Sequence, residues 1–161
     1  MIVAAPLTAA AFAPFGDVLE TGGDARSINA GLCLRYHDRA ALDFADGRAG
    51  ISVFQAQPRA LPYTFDLIER HPLGSQAFIP MSADPFLVIV AHSPAHLPQA
   101  FITNGAQGIN LHRGTWHGVL TPLKGAGLFA VIDRIGAGAN LEEHRADQPW
   151  VVLAGEGATA A

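Results

Sequence analysis

The chain has 161 residues, with 10 Lys and Arg against 14 Asp and Glu; the resulting net charge of −4 offers no electrostatic footprint for nucleic acid. Half of it is hydrophobic and only 15 % is charged, which excludes a disordered chain and suits one domain over 1–161 with a core of its own. The start, Met-Ile-Val-Ala-Ala-Pro-Leu, has no basic residue ahead of its apolar stretch, and the longest later apolar run, 86–91, is too short to cross a bilayer, so neither secretion nor membrane insertion is expected.

In chain order, Thr8 caps a short helical turn over 9–13 that Pro14 and Gly16 stop. The remaining segments are short, apolar and bounded by Gly, Pro, Asp or Asn, which predicts strands over 28–36, 50–57, 63–71, 76–81, 86–92, 107–111, 116–120 and 128–134. Cys33, the single cysteine, lies in Ala-Gly-Leu-Cys-Leu; it has no internal disulfide partner, fits a reducing cytoplasm and reads as a buried apolar thiol. Residues 137–144 predict a loop leading into a short helical turn with Asn140 as its cap, and 155–161 a frayed tail. Eight or so short strands with turns between them predict a mainly β sandwich or small barrel.

Two turn-broken clusters carry the chemistry. The first runs Glu-Arg-His-Pro-Leu-Gly-Ser-Gln over 69–76. On a strand, side chains two apart share a side, so Glu69 and His71 project together. Pro72 and Gly74 then reverse the chain and let Gln76 return beside them. The second cluster, His-Arg-Gly-Thr-Trp-His over 112–117, ends on His117, with Trp116 pointing the other way into packing. A carboxylate, imidazoles and an amide in one mouth suit acid–base work or a metal, and no nucleophile motif or Gly-rich dinucleotide loop competes. Arg113 and Arg134 are candidates for a substrate carboxylate, with a surface or dimer ion pair as the more ordinary role. His112 leans structural, Glu142, Glu143 and His144 read as a solvated turn, and Tyr36 and His37 stay undecided.

The spacing of the two clusters resembles that of the cupin motifs, with Glu69, His71 and Gln76 in the first motif's ligand places and Gly114 and His117 kept from the second. Glu for the first His, Gln for the usual Glu and His112 for Pro are departures. A closer resemblance shares those departures: Glu69-Arg-His-Pro-Leu-Gly-Ser-Gln-Ala-Phe-Ile-Pro80, His112-Arg-Gly-Thr-Trp-His117, Ala130-Val-Ile-Asp-Arg134, Asn140-Leu-Glu-Glu-His144, Ala11-Phe-Ala-Pro-Phe-Gly-Asp-Val18 and Arg35-Tyr-His-Asp38 are similar to the ureidoglycolate lyase family. This resemblance implies a cupin-type double-stranded β-helix, a jelly-roll barrel with a few short helices. It also implies a cytoplasmic homodimer of allantoin breakdown, a carbon–nitrogen lyase of amidine-lyase type that splits (S)-ureidoglycolate into glyoxylate and urea.

Under that resemblance a divalent metal, nickel by preference, is held by Glu69, His71, Gln76 and His117, and no organic cofactor is expected. His71 and His117 carry the proton transfers or hold the metal, Glu69 orients His71, and Gln76, Arg113 and Arg134 bind substrate. The residues by themselves leave two alternatives open. One is another metal-dependent cupin enzyme acting on a small hydroxy or keto acid; the other is a small-metabolite binder without turnover.

Overall fold

The structure, a computed structural model, describes residues 1–156. Among these residues fourteen strands and one short α-helix follow in order, with a 3-10 turn (Asn29–Gly31) between β3 and β4: β1 (Ile2–Pro6), α1 (Ala9–Phe12), β2 (Gly16–Leu19), β3 (Arg26–Ile28), β4 (Cys33–Arg35), β5 (Arg48–Gln55), β6 (Tyr63–Arg70), β7 (Gln76–Pro80), β8 (Phe86–Ala91), β9 (Gln99–Ile102), β10 (Gly108–Leu111), β11 (Trp116–His117), β12 (Thr121–Pro122), β13 (Leu128–Ile135) and β14 (Glu142–Ala154). Thr8 caps α1 as expected, its hydroxyl accepting from the Ala11 amide at 3.3 Å.

Strands β11, β6, β14, β1, β9 and β8 pair in that order, and β11 also pairs with β8, so the sheet closes on itself. The closure is mixed, because β1 runs parallel to both β14 and β9. A second sheet, β2-β10-β7-β13-β5, packs against this ring, giving the mainly β barrel that the strand pattern predicts, of the cupin type that the resemblance implies.

Two apolar clusters follow. One fills the ring with Ile2, Ile68, Leu87, Ile89, Trp116 and Val152; the other fills the space between the sheets with Phe12, Phe78, Val88, Val90, Phe101 and Val131. Strand β8 divides them. Its run Phe-Leu-Val-Ile-Val-Ala alternates between two dry interiors, which is why it is apolar at every position and buried throughout. Phe12, at the helix end, is fully buried between the sheets, where truncation to Ala costs ~3–5 kcal/mol.

Several expectations need correcting. The strand expected over 28–36 is a hairpin: Asn29 and Ala30 adopt φ of 53° and 55°, and Gly31 of 87°, so the chain turns back and pairs Ile28 with Cys33. Cys33 is therefore half-buried on this hairpin rather than sealed in a core. The strand expected over 116–120 stops at His117; the Gly118 amide still bonds to the Ile89 carbonyl of β8, and the chain then leaves the pairing until β12 returns to β8 at Thr121.

The helical turn expected near 140–144 is absent; β14 begins at Glu142 and pairs with β6. Its polar first half hid it, because Pro149 and a register shift between Arg145 and Trp150 break the alternation that marks a strand. Strands β1, β2, β9 and β12 were not predicted. Of the tail expected over 155–161, residues 157–161 lie outside the described residues.

Candidate active site

Register and alternation assemble the site at one end of the space between the sheets. On β11, His117 lies opposite Val90, whose side chain belongs to that intersheet core, so His117 faces the same interior. Glu69 lies opposite His117 and, on its other side, opposite Glu143 of β14. Three adjacent strands thus present His117, Glu69 and Glu143 in one row. From the facing sheet, Gln76 precedes the core residue Phe78 by two and Asp133 follows the core residue Val131 by two, so both turn inward as well.

The two clusters singled out in the sequence are stitched directly together. The Gly114 amide donates to the His71 carbonyl at 3.0 Å and the Arg113 Nε to the Pro72 carbonyl at 2.7 Å. Gly114 makes this approach at a φ of 79°, a conformation that a side chain resists. The result places the His71 and His117 rings with centroids 5.3 Å apart and the His117 Nε2 3.7 Å from the Glu69 carboxylate.

Each imidazole is fixed by a backbone carbonyl. His71 Nδ1 donates to the Asn140 carbonyl at 2.7 Å and His117 Nδ1 to the Thr115 carbonyl at 2.9 Å. A carbonyl only accepts, so each ring carries a proton on Nδ1, and a neutral ring then has its lone pair on Nε2. Both Nε2 atoms are buried without a partner. Asn140 was read as a helix cap. Instead its main chain orients His71 and its side-chain oxygen accepts from the Leu73 amide at 2.8 Å, holding both ends of the turn. The hydrogen-bond partner of His71 Nδ1 is thus the Asn140 carbonyl.

Burial pushes the fully enclosed His117 imidazole down to about 4, against the pull of its bond to Thr115, so its lone pair is free throughout the neutral range. Burial also holds the Glu69 carboxyl above its ordinary value; the charge of His71 draws it back and that of Glu143 pushes it further up.

Ligand atoms of Glu69, His71 and His117 all lie within 4.8 Å of one another, the three-residue group among the described residues that could hold a metal ion. The fit is chemical as well as spatial. Two imidazole nitrogens, presented lone pair first and held by carbonyls from behind, plus one carboxylate make a donor set suited to a borderline divalent cation.

Gln76 is buried, donates its Nε2 to the Asp133 carboxylate at 3.2 Å and keeps a buried, unpartnered Oε1. The two arginines are placed differently. Arg113 is a partly exposed strut between the Pro72 carbonyl and Asp43, 3.7 Å from its carboxylate. The Arg134 side chain is buried, and its guanidinium is occupied by Asp46 and the carbonyls of Phe44 and Ala137.

His112 pairs with Asp17 on the surface at 3.1 Å, in keeping with its structural expectation. Trp116 points into the ring core, with the Arg70 guanidinium 4.9 Å from its ring centroid. Glu142 pairs with Arg70, and His144 lies opposite Ile68. His37 lines a surface cleft with Arg26 and Arg35 and Tyr36 stacks under Arg39, both on the β3–β4 excursion. Sequence reasoning missed the site parts played by Asp133 and Asn140 and the alignment of Glu143 with Glu69. Asp133 was legible as the next inward position after Val131; Asn140 was not, because its role is long-range.

The ureidoglycolate lyase family model matches residues 1–153. A ureidoglycolate lyase of Rhodobacter capsulatus is 57 % identical over 91 % of this chain and 94 % of its own. Ureidoglycolate lyase 2 of Rhizobium meliloti is 48 % identical over 91 % of this chain and 94 % of its own. A ureidoglycolate lyase of Pseudomonas fluorescens is 48 % identical over 86 % of this chain and 87 % of its own. With matches over nearly the whole described length, the chain belongs to the ureidoglycolate lyase family.

Proposed function

We propose that this protein is a carbon–nitrogen lyase of amidine-lyase type that cleaves (S)-ureidoglycolate into glyoxylate and urea during allantoin breakdown. The observation that carries the proposal is the interior triad, in which Glu69, His71 and His117 bring ligand atoms within 4.8 Å of one another and both histidines keep a buried, unpartnered Nε2. The relatives' names supply the substrate.

The reaction needs the hydroxyl proton of the carbinolamide removed as the carbon–nitrogen bond breaks, and a proton delivered to the departing urea nitrogen. Glu69, His71 and His117 are the residues that would hold a divalent cation, nickel being favoured. Such a cation supplies Lewis acidity to the substrate's hydroxyl and carboxylate. Of the three, His117 acts as a fixed lone-pair donor, since its depressed basicity keeps it neutral. His71 and Glu69 are less enclosed, and whichever of them is not taken up in holding the cation exchanges protons with the substrate. Burial raises the basicity of the Glu69 carboxylate, which favours taking the hydroxyl proton. Gln76 contacts the ureido group from the facing wall. Arg113, at the rim, is the better placed of the two arginines for the substrate carboxylate, because the Arg134 guanidinium is already fully engaged.

The working unit is a single domain that pairs as a homodimer in the cytoplasm. Among the described residues no helix is long and apolar enough to cross a membrane, and Cys33 is a free thiol. Strand β5 forms the edge of the open sheet and exposes Ile51 and Val53, an apolar surface of the kind a two-fold mate covers.

The deciding experiment incubates purified protein with ureidoglycolate and follows glyoxylate, urea and ammonia together. Glyoxylate and urea in equal amounts are expected. Ammonia as the direct nitrogen product, without urea, rules the lyase out.

A further inference from the structure

The amide of Gln76 is the one polar group of the site whose orientation decides what it can recognise. An ionised carboxylate offers acceptors only, so Asp133 at 3.2 Å must face the Gln76 Nε2 and cannot face its Oε1. The oxygen is consequently turned away from Asp133, and it is buried with no partner. A buried carbonyl left unpaired is costly in the empty protein and becomes favourable when a ligand N–H fills it.

The support behind this pair is stiff. Strand β13 is held to β5 along eight consecutive positions, with Asp133 opposite Gly50. The next residue, Arg134, has its buried guanidinium tied to Asp46 and to the carbonyls of Phe44 and Ala137 on the outer side of the sheet. Asp133 therefore has little freedom to follow a rotating amide.

We infer that Asp133 is a positioning residue that locks the Gln76 amide with its oxygen toward the substrate, so that Gln76 accepts a hydrogen bond from the ureido nitrogen and selects ureido acids over hydroxy acids that lack it. This rests on the ureidoglycolate assignment for the identity of the ligand. Ureidoglycolate carries N–H groups on its ureido end and a hydroxyl and carboxylate on the other. The opposite wall, Glu69, His71 and His117, is the place for the hydroxyl end, which leaves the nitrogen end for Gln76. One hydrogen of the Gln76 Nε2 is held by Asp133, and the buried oxygen is the atom left to meet a ligand N–H.

The test compares binding of ureidoacetate, the substrate skeleton without its hydroxyl, with binding of glycolate, which has no nitrogen. Both are titrated calorimetrically, with and without added Ni²⁺, into the parent, Asp133→Ala, Asp133→Asn, Gln76→Leu and Asp133→Ala with Gln76→Leu.

Asp133→Ala and Gln76→Leu are each expected to weaken ureidoacetate roughly 10- to 100-fold, the range for losing one buried hydrogen bond, and to leave glycolate nearly unchanged. Asp133→Asn keeps an acceptor oxygen for the Gln76 N–H and should stay within about threefold of the parent. The double variant should be no weaker than Gln76→Leu, because Asp133 acts only through that amide.

Ureidoacetate binding that survives Asp133→Ala, equal losses for both ligands, additive losses in the double variant, or a parent that binds neither probe overturns the inference. If Asp133→Ala does not fold, the near-isosteric Asp133→Leu takes its place with the same expectation, and unchanged preference for ureidoacetate over glycolate in it or in Gln76→Leu is the adverse result. A parent that binds ureidoacetate in this pattern yet releases no urea from ureidoglycolate refutes the lyase assignment and leaves the amide lock standing.

Discussion

Burial of His117 predicts a specific acid sensitivity of the metal-free protein. The imidazole titrates at 6.5 in an open chain and at about 4 in the fold. Below pH 6.5 the unfolded chain takes up a proton that the folded protein refuses. The contribution of neutral His117 to stability is complete above pH 6.5 and is lost progressively as pH falls toward 4.

A difference of about 2.5 units, 6.5 against about 4, corresponds to about 3 kcal/mol over the whole window and about 2 kcal/mol by pH 5. Glu69 works the other way. Its raised pKa means that the fold gains protons relative to the open chain as pH falls through the carboxylate range, which offsets part of the loss near the acid end. His117→Gln removes the titration of His117 and leaves Glu69 in place, so the parent–variant difference isolates the histidine.

The assay is urea unfolding in the presence of chelator at pH 7.5, 6 and 5. The parent should lose about 2 kcal/mol relative to His117→Gln between pH 7.5 and 5. A gap between the two proteins that does not change with pH would show that the buried imidazole is not held neutral by the fold and would undo the assignment of its lone pair.

His71→Ala should lower kcat on ureidoglycolate by roughly 100-fold or more in steady-state assays with the fold intact by circular dichroism, the scale of a lost acid–base group. Exhaustive chelation should abolish turnover, with Ni²⁺ restoring it and raising the melting temperature, whereas activity untouched by chelator would show that the triad works by hydrogen bonding and proton transfer alone. Asn140→Ala strands the Leu73 amide and loosens the carbonyl behind His71; thermal or urea unfolding should show a loss of ~1–3 kcal/mol, and kcat should fall more than KM changes. Analytical ultracentrifugation at micromolar concentration should show a dimer that Ile51→Lys, on the exposed edge strand, dissociates to monomer.

The parts of this protein that could be read in advance are those written in local patterns. Glu69 and His71 share a face because they are two apart, and the turn chemistry of Pro72 and Gly74 brings Gln76 back to the same end of the barrel. The β-rich class was equally local, since short apolar runs between Gly, Pro and Asn fit little else. The parts that could not be read depend on partners far along the chain. Asn140 satisfies every local rule for a cap, yet its bonds go to His71 and Leu73, about seventy residues away, and nothing in its neighbourhood announces that. For Arg134 an ion pair was the ordinary expectation, but its partners could not be named, because Phe44 and Asp46 lie about ninety residues away on a loop whose proximity only the fold reveals. The hairpin at 26–35 was missed for a different reason: its turn uses Asn29 and Ala30 at positive φ, a conformation that Asn tolerates and Ala does not advertise.

Strand β11 is two residues long, yet it pairs with β6 on one side and β8 on the other and so completes the ring. Trp116 fills one core while its neighbour His117 supplies the buried nitrogen of the triad. The clasp of the barrel and a corner of its chemistry are therefore the same dipeptide. A backbone motion that carries His117 out of the site would also unfasten β11 from β6 and β8, uncovering two strand edges able to pair with a neighbouring molecule. Displacing this backbone and exposing the chain to self-association are a single structural event.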